Sequence, residues 1–341
     1  MKVPSDCSAR IANTSLVAAL FVVLLHVGIA GGGATADFPM RLFLRDFARF
    51  AVPFFFLASG YLIAGHFGEP GWWRREAVKR LKTLLLPYVA WSALFGLYLF
   101  IGTAVPELYR TRAFDLAAWW QGKGALLFGL DLRQPPLMLP LWYLRTLFLL
   151  VLLSGVLAGA ARRRGTATLV GFGAAYLAYG VLVDWRPELT ANALGSLLRA
   201  TFAPEAFFYF TAGLWLRIRD VKPVARRASP FLGVAAALLA VRQAVGPWLP
   251  YPVVIPFALY GVWCAVPATP WPKALTSLSF PIYLIHWFFV HFLSRTRPEL
   301  GVTPISFSLA FVGIAAASVA ATLALRRLLP RRMAGILFGG R

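Results

Sequence analysis

Leu16-Val17-Ala18-Ala19-Leu20-Phe21-Val22-Val23-Leu24-Leu25-His26-Val27-Gly28-Ile29 is an apolar run broken by a single ionisable side chain. Within residues 11–31 it has the length of a bilayer-spanning helix, which takes about 20 residues. Similar segments recur at 46–65, 84–105, 141–161, 166–184, 204–218, 229–246, 250–267, 275–294 and 304–326, giving ten candidates. Composition agrees. The 341 residues are 59% hydrophobic and 14% charged, whereas soluble domains are about a quarter charged. So much apolar surface cannot be hidden in one water-soluble core, so much of it faces lipid. The expected fold class is an all-α, polytopic transmembrane helix bundle of about ten spans. It is read as one integral-membrane domain over residues 1–341, with no appended soluble domain. The 204–218 segment is short for a span, and 117–130 reads as a re-entrant or interfacial helix.

Charge placement sets the orientation. The formal net charge is +21, which in a soluble protein would raise nucleic acid as a partner. Here the basic residues fall between apolar runs, as they do in the cytoplasmic loops of membrane proteins, so no nucleic acid is expected. With the N-terminus inside, 21 of the 34 Lys and Arg fall on cytoplasmic segments and 12 on external ones. Most acids fall outside, so both termini are expected inside, N-in and C-in. The start also imitates a secretory leader, through Lys2, the apolar run and Ala34-Thr35-Ala36. Against that reading, His26 interrupts the run, and cleavage would leave an odd number of spans. Cys7 and Cys264 share no motif, and the four histidines are scattered. No disulfide framework and no metal site are expected.

An ionisable group at membrane depth is costly and is a functional candidate by default. His26 can act as a general base near neutral pH, or it can be satisfied by a helix carbonyl. Asp46 and Arg49, three residues apart, share a helix face and can pair. Trp72-Trp73-Arg74-Arg75 through Lys79-Arg80-Leu81-Lys82 reads either as an aromatic belt with a positive-inside loop or as a clamp for phosphates. Arg145 begins a span behind Leu141-Trp142-Tyr143-Leu144. Glu205 precedes Phe207-Phe208-Tyr209-Phe210 and Gly213. Tyr283 and His286 stand in Ser279-Phe280-Pro281-Ile282-Tyr283-Leu284-Ile285-His286-Trp287. Taken singly, each of these is more often packing or interface anchoring than chemistry.

Taken together and in order, these segments resemble the acyltransferase 3 family of integral-membrane acyltransferases. The resemblance rests on the span holding His26, Val52-Pro53-Phe54-Phe55-Phe56 with Ser59-Gly60-Tyr61, and the Trp-basic run closing on Leu86-Pro87-Tyr88. It rests also on Leu141-Trp142-Tyr143-Leu144, Phe208-Tyr209-Phe210 with Gly213, and Ile282-Tyr283-Leu284-Ile285-His286. It implies a multi-pass protein of the cell inner (plasma) membrane. Such a protein moves an acyl group, usually acetyl, from cytoplasmic acyl-CoA to a hydroxyl of a carbohydrate, here a cell-envelope glycan or exopolysaccharide. The donor substrate would be acetyl-CoA or another acyl-CoA, with no metal. His26 falls where the family's essential first-span histidine stands. The arginine often found eleven residues earlier is Ser15 here, and Arg10 lies on nearly the opposite face. The family's basic motif after the second span is matched loosely by Lys79, Arg80 and Lys82.

On this reading His26 is the base, or a transient acyl carrier. Arg49 or Arg145 stabilises the oxyanion, and Asp46 or Glu205 orients His26 or binds sugar hydroxyls. Arg74, Arg75, Lys79, Arg80 and Lys82 hold the acyl-CoA phosphates. Trp142, Tyr143, Glu205, Tyr283 and His286 contact the acceptor. Two rival readings stay open: a transporter of a glycan intermediate or small carboxylate, and a non-catalytic subunit of a polysaccharide-assembling machine. The orientation has a direct test. Cysteines introduced at 72–82 are expected to resist an impermeant maleimide applied to intact cells, and labelling from outside would overturn the topology.

Overall fold

Proline and basic residues punctuate the chain, and the helices start and bend where they fall. In a computed structural model, residues 5–30, 39–103, 128–297 and 303–340 are described. Among these the regular structure is all helical. Helix α1 is Ser5–Ala30, α2 Pro39–Ala48 and α3 Ala51–Ala64. The break between α2 and α3 interrupts the segment expected at 46–65. Pro53 has no N–H for the Arg49 carbonyl four residues back, and its ring crowds that carbonyl. Arg49 is therefore displayed at a turn rather than along a span. Helix α4, Trp72–Arg80, passes through a π-helical stretch, Leu81–Leu85, into α5, Leu86–Thr103. The basic stretch expected as a loop is thus a helix. Pro87 cannot donate to Thr83, and the wider π turn accommodates that missing bond. Of the interfacial helix expected at 117–130, only residues 128–130 are described, and they include a turn.

Helix α6 runs from Leu141 to Trp185. Its 45 residues would reach about 68 Å at 1.5 Å each, twice the hydrocarbon thickness. The backbone leaves helical geometry at Arg164 (φ −136°, ψ 43°), the last residue of Arg162-Arg163-Arg164. The two segments expected at 141–161 and 166–184 are the two arms of this bend. There follow α7 Ala193–Ala200, α8 Pro204–Ile218, α9 Ala228–Val245 and α10 Tyr251–Ala265. Then come α11 Lys273–Thr276, α12 Ser279–Thr296, α13 Pro304–Leu328 and α14 Arg331–Phe338. Thr303 and Ser306 cap α13 reciprocally, each side chain accepting the other's backbone N–H at 3.2 and 3.0 Å. Where the ten apolar segments are described, they fall on helices. Among the described residues, six stretches are long and apolar enough to cross a membrane, among them Asp6–Val27, Phe43–Ala64 and the bent α6, while Tyr251–Ala265 is apolar but shorter.

The interior is a hydrophobic core into which Asn13, Thr146, Ser154 and Thr211 are also buried, while Leu97, Ile101, Val241, Ile305, Leu309 and Val312 stand exposed. An apolar perimeter around an apolar core is what lipid as solvent allows. Helices α3 and α8 approach each other backbone to backbone. A Cβ on Gly60 would strike the Phe210 carbonyl, and one on Gly213 the Leu57 carbonyl. Without a hydrophobic drive between helices in lipid, such backbone contact is how van der Waals packing holds them. Helix α8 also packs along α6, α1 along α12, and α9 along α10. Gly213→Leu is expected to force α3 and α8 apart, at a cost of about 1–3 kcal/mol or more. A lower melting temperature and a smaller monodisperse fraction in detergent would report it, and an unchanged melt would show that this crossing does not hold the bundle.

Candidate functional site

Six elements, α3 with Val52 and Pro53 among them, meet around a cavity of about 270 Å³ lined also by His26, Arg49, Trp142, Tyr176, Tyr179, Asp184, Glu205 and Tyr251. Helix α1 supplies His26, the turn after α2 Arg49, the two arms of α6 Trp142 and the Tyr176–Asp184 face, α8 Glu205, and α10 Tyr251. The polar groups form a chain. Buried Asp46 accepts the Tyr251 hydroxyl at 2.7 Å and pairs with Arg45 Nε at 3.3 Å and Arg49 Nε at 3.6 Å. Both Arg49 and Arg242 lie over the Tyr251 ring, 4.1 and 3.5 Å from its centroid. Arg242 then reaches Asp184 at 3.1 Å and the Leu249 carbonyl. Opposite charges and aromatic faces thus satisfy one another. Asp46 therefore holds Arg49 directly and Tyr251 beside it, and its hydrogen bonds and ion pairs go to these residues and Arg45 rather than to His26, which it was expected to orient. Arg49 is held against the cavity with Glu205 within its electrostatic range.

His26 has its partners elsewhere. Its Nδ1 lies 2.9 Å from the Val22 carbonyl and 3.1 Å from Nε2 of His286, whose own Nδ1 lies 3.0 Å from the Ile282 carbonyl. The Trp287 ring packs edge-on to His26 with centroids 5.1 Å apart. His26 lines the cavity. His286 is fully buried and lines neither this cavity nor the next, so the acceptor contact expected of it is not formed here.

A second, narrower cavity of about 100 Å³ lies nearer the basic helix. Ser15, Ser59, Arg80 and Ser279 line it, and it ends at Phe55, Tyr143 and Tyr283. These three rings touch pairwise, with centroids 5.6–5.9 Å apart. On two of their helices, neighbouring residues line the first cavity: Val52 and Pro53 on α3, and Trp142 on α6. The two cavities therefore lie beside one another along α3 and α6. Tyr283 donates to the Pro140 carbonyl, which ties α12 to the start of α6. Where the resemblance places an arginine this chain has Ser15, and the cation in that cavity is Arg80.

The basic helix is organised by buried Glu76, which pairs with Arg80 at 3.3 Å, Lys79 at 3.4 Å and His66 at 3.9 Å. Arg75 pairs with Glu69 at 2.7 Å. Arg74 and Lys82 are exposed, with no ion pair among the described residues. Arg145 is otherwise engaged. It donates to the carbonyls of Gly129 at 3.0 Å, Asp131 at 3.4 Å, Gln134 at 2.9 Å and Ala200 at 2.8 Å. It fastens the 128–134 loop and the end of α7, and it does not line the His26 cavity. In that loop, the backbone N–H of Arg133 donates to the Asp131 carboxyl and holds it below the usual carboxylate range.

Of the expected site residues the structure brings together His26, Arg49, Trp142 and Glu205, with Asp46 behind Arg49. Tyr143, Tyr283 and Arg80 meet at the other cavity. Sequence reading missed Tyr176, Tyr179, Asp184, Arg242 and Tyr251. The available signal was Asp184, an acid closing the apolar run 166–184, and Arg242, a cation inside 229–246 that was counted with the loops.

Residues 16–327 match the family model of an acyltransferase domain. The chain is similar to the succinoglycan biosynthesis protein ExoH of Rhizobium meliloti (strain 1021), at 26% identity over 263 residues, 72% of this chain and 64% of that protein. The chain thus matches less than two thirds of that relative's length. No solved structure matches it significantly.

Proposed function

The chain belongs to the acyltransferase family whose model matches it over residues 16–327, and on that footing we propose that it O-acylates a glycan. An acyl group, acetyl first among the candidates, passes from cytoplasmic acyl-CoA to a hydroxyl of an exopolysaccharide or another cell-envelope glycan. The relative's part in succinoglycan biosynthesis supports that acceptor class. The protein would work as one domain in the inner membrane, with ten spans and both termini inside. The observation that carries the proposal is the pair of cavities side by side along α3 and α6, with Arg80 of the basic helix lining one and His26 lining the other.

The donor enters from the basic end. Exposed Arg74, Arg75, Lys79 and Lys82 meet the nucleotide phosphates, and Arg80 with Ser15 and Ser279 meets the arm that carries the thioester. The acceptor occupies the His26 cavity. Its size, at the lower edge of ligand pockets, which run about 300–1,000 Å³, fits one sugar residue. Trp142, Tyr176 and Tyr179 offer faces and hydroxyls to that ring, and Asp184 and Glu205 accept from its hydroxyls. Nε2 of His26 takes the proton of the attacking hydroxyl. The new C–O bond forms at the thioester carbonyl, and Arg49 stabilises the oxyanion. The C–S bond then breaks, and the proton held by His26 returns to the departing thiolate. A positioned base contributes typically about 10²–10⁴-fold, and preorganised charge a comparable factor.

His26→Ala should lower kcat for acyl-CoA-dependent acylation by at least about 10²-fold while the melting profile stays like that of the wild type. Glycan mass spectrometry provides the readout, and near-wild-type acylation by a well-folded variant would sink the mechanism. Arg80→Gln should raise KM for acyl-CoA several-fold and leave acceptor KM unchanged. Equal donor KM in the two proteins would return the basic helix to a purely topological role.

A further inference from the structure

We infer that His286 is a positioning residue that holds His26 with its proton on Nδ1, leaving Nε2 as the basic nitrogen available to the acceptor cavity. The inference rests on the acyl-transfer reading for its consequence but on geometry for its substance. A carbonyl oxygen can only accept. Val22 O lies 2.9 Å from Nδ1 of His26, and Ile282 O lies 3.0 Å from Nδ1 of His286. Each is the carbonyl four residues back on the same helix, so each Nδ1 carries a hydrogen. Nε2 of neutral His286 is then bare. At 3.1 Å from Nδ1 of His26, it accepts the second branch of a shared N–H. The reverse arrangement, with His286 Nε2 donating, would leave at least the His26 Nδ1 lone pair facing the Val22 carbonyl. One tautomer of each ring satisfies all three contacts.

His286 touches neither cavity and is 0% exposed, so it acts on substrate only through His26. As His26 takes the hydroxyl proton its ring becomes cationic. Its Nδ1–H then has two acceptors, the Val22 carbonyl and the His286 imidazole. In familiar hydrolases a carboxylate fills this place. A neutral imidazole does the same without burying an anion beside lipid, where desolvation is heavily penalised. The packing of α1 along α12, with Trp287 against His26, fixes the two rings on rigid elements.

The test separates geometry from turnover. Protein carrying ¹⁵N-histidine in lipid bilayers has four histidines to resolve, and the His26 signals are those lost in His26→Ala. The expected spectrum shows Nδ1 protonated and Nε2 bare on both His26 and His286. A protonated Nε2 on either ring overturns the inference, whether or not the protein acylates anything. In turnover, His286→Leu should lower kcat roughly 10–100-fold, the worth of one hydrogen bond to a charged group, with both KM values unchanged. His286→Gln, whose amide oxygen can accept the same bond, should recover most of that loss. Wild-type kcat in folded His286→Leu overturns the role. If that variant fails to fold, His286→Gln at the level of His26→Ala overturns it instead. Failure of the wild-type protein to acylate would remove the proposed function and leave the tautomer result standing.

Discussion

A polar group that enters hydrocarbon must bring its partner with it, because no water waits there to supply one. This constraint shapes each feature of the site. His26 and His286 first satisfy themselves on their own helices and then share a hydrogen. Asp46 gathers two guanidiniums and a phenol. Arg145 saturates itself with four carbonyls and becomes a loop fastener. Buried Glu76 draws in Lys79 and Arg80, and in doing so places Arg80 against a cavity. Position in the fold, rather than residue type alone, decides whether a charge is structural or available for chemistry.

Arg49 and Arg145 make the contrast plain. As letters in a sequence they are equivalent candidates for an oxyanion partner. Arg145 follows a loop rich in exposed carbonyls and is consumed by them. Arg49 sits at the turn that Pro53 enforces, beside a tyrosine ring that fixes its plane without using up its donors. At position 15 the first span offers a serine, and a neighbouring helix presents Arg80, paired with Glu76, to the same space.

The helices were legible because membrane-spanning segments carry a one-dimensional signal: length and hydropathy. The bend at Arg164 was also legible, since three arginines separate two apolar runs. The lone imidazole in the first span pointed to itself. What the sequence did not carry was distance. His26 and His286 are separated by 260 residues, so one was read as a base and the other as a substrate contact. Tyr251, Arg242 and Asp184 were not singled out, because their shared network exists only once α6, α9 and α10 are packed. The basic stretch was read as a loop because charges mark the membrane boundary, but a helix can carry charges across that boundary equally well.

The contact among Phe55, Tyr143 and Tyr283 joins α3, α6 and α12 at one point. A continuous file of water through a membrane protein would let ions run down the electrical gradient, dissipating about 2.3 kcal/mol per charge at 100 mV. Touching aromatic rings leave no room between them for water, so this junction insulates where it packs.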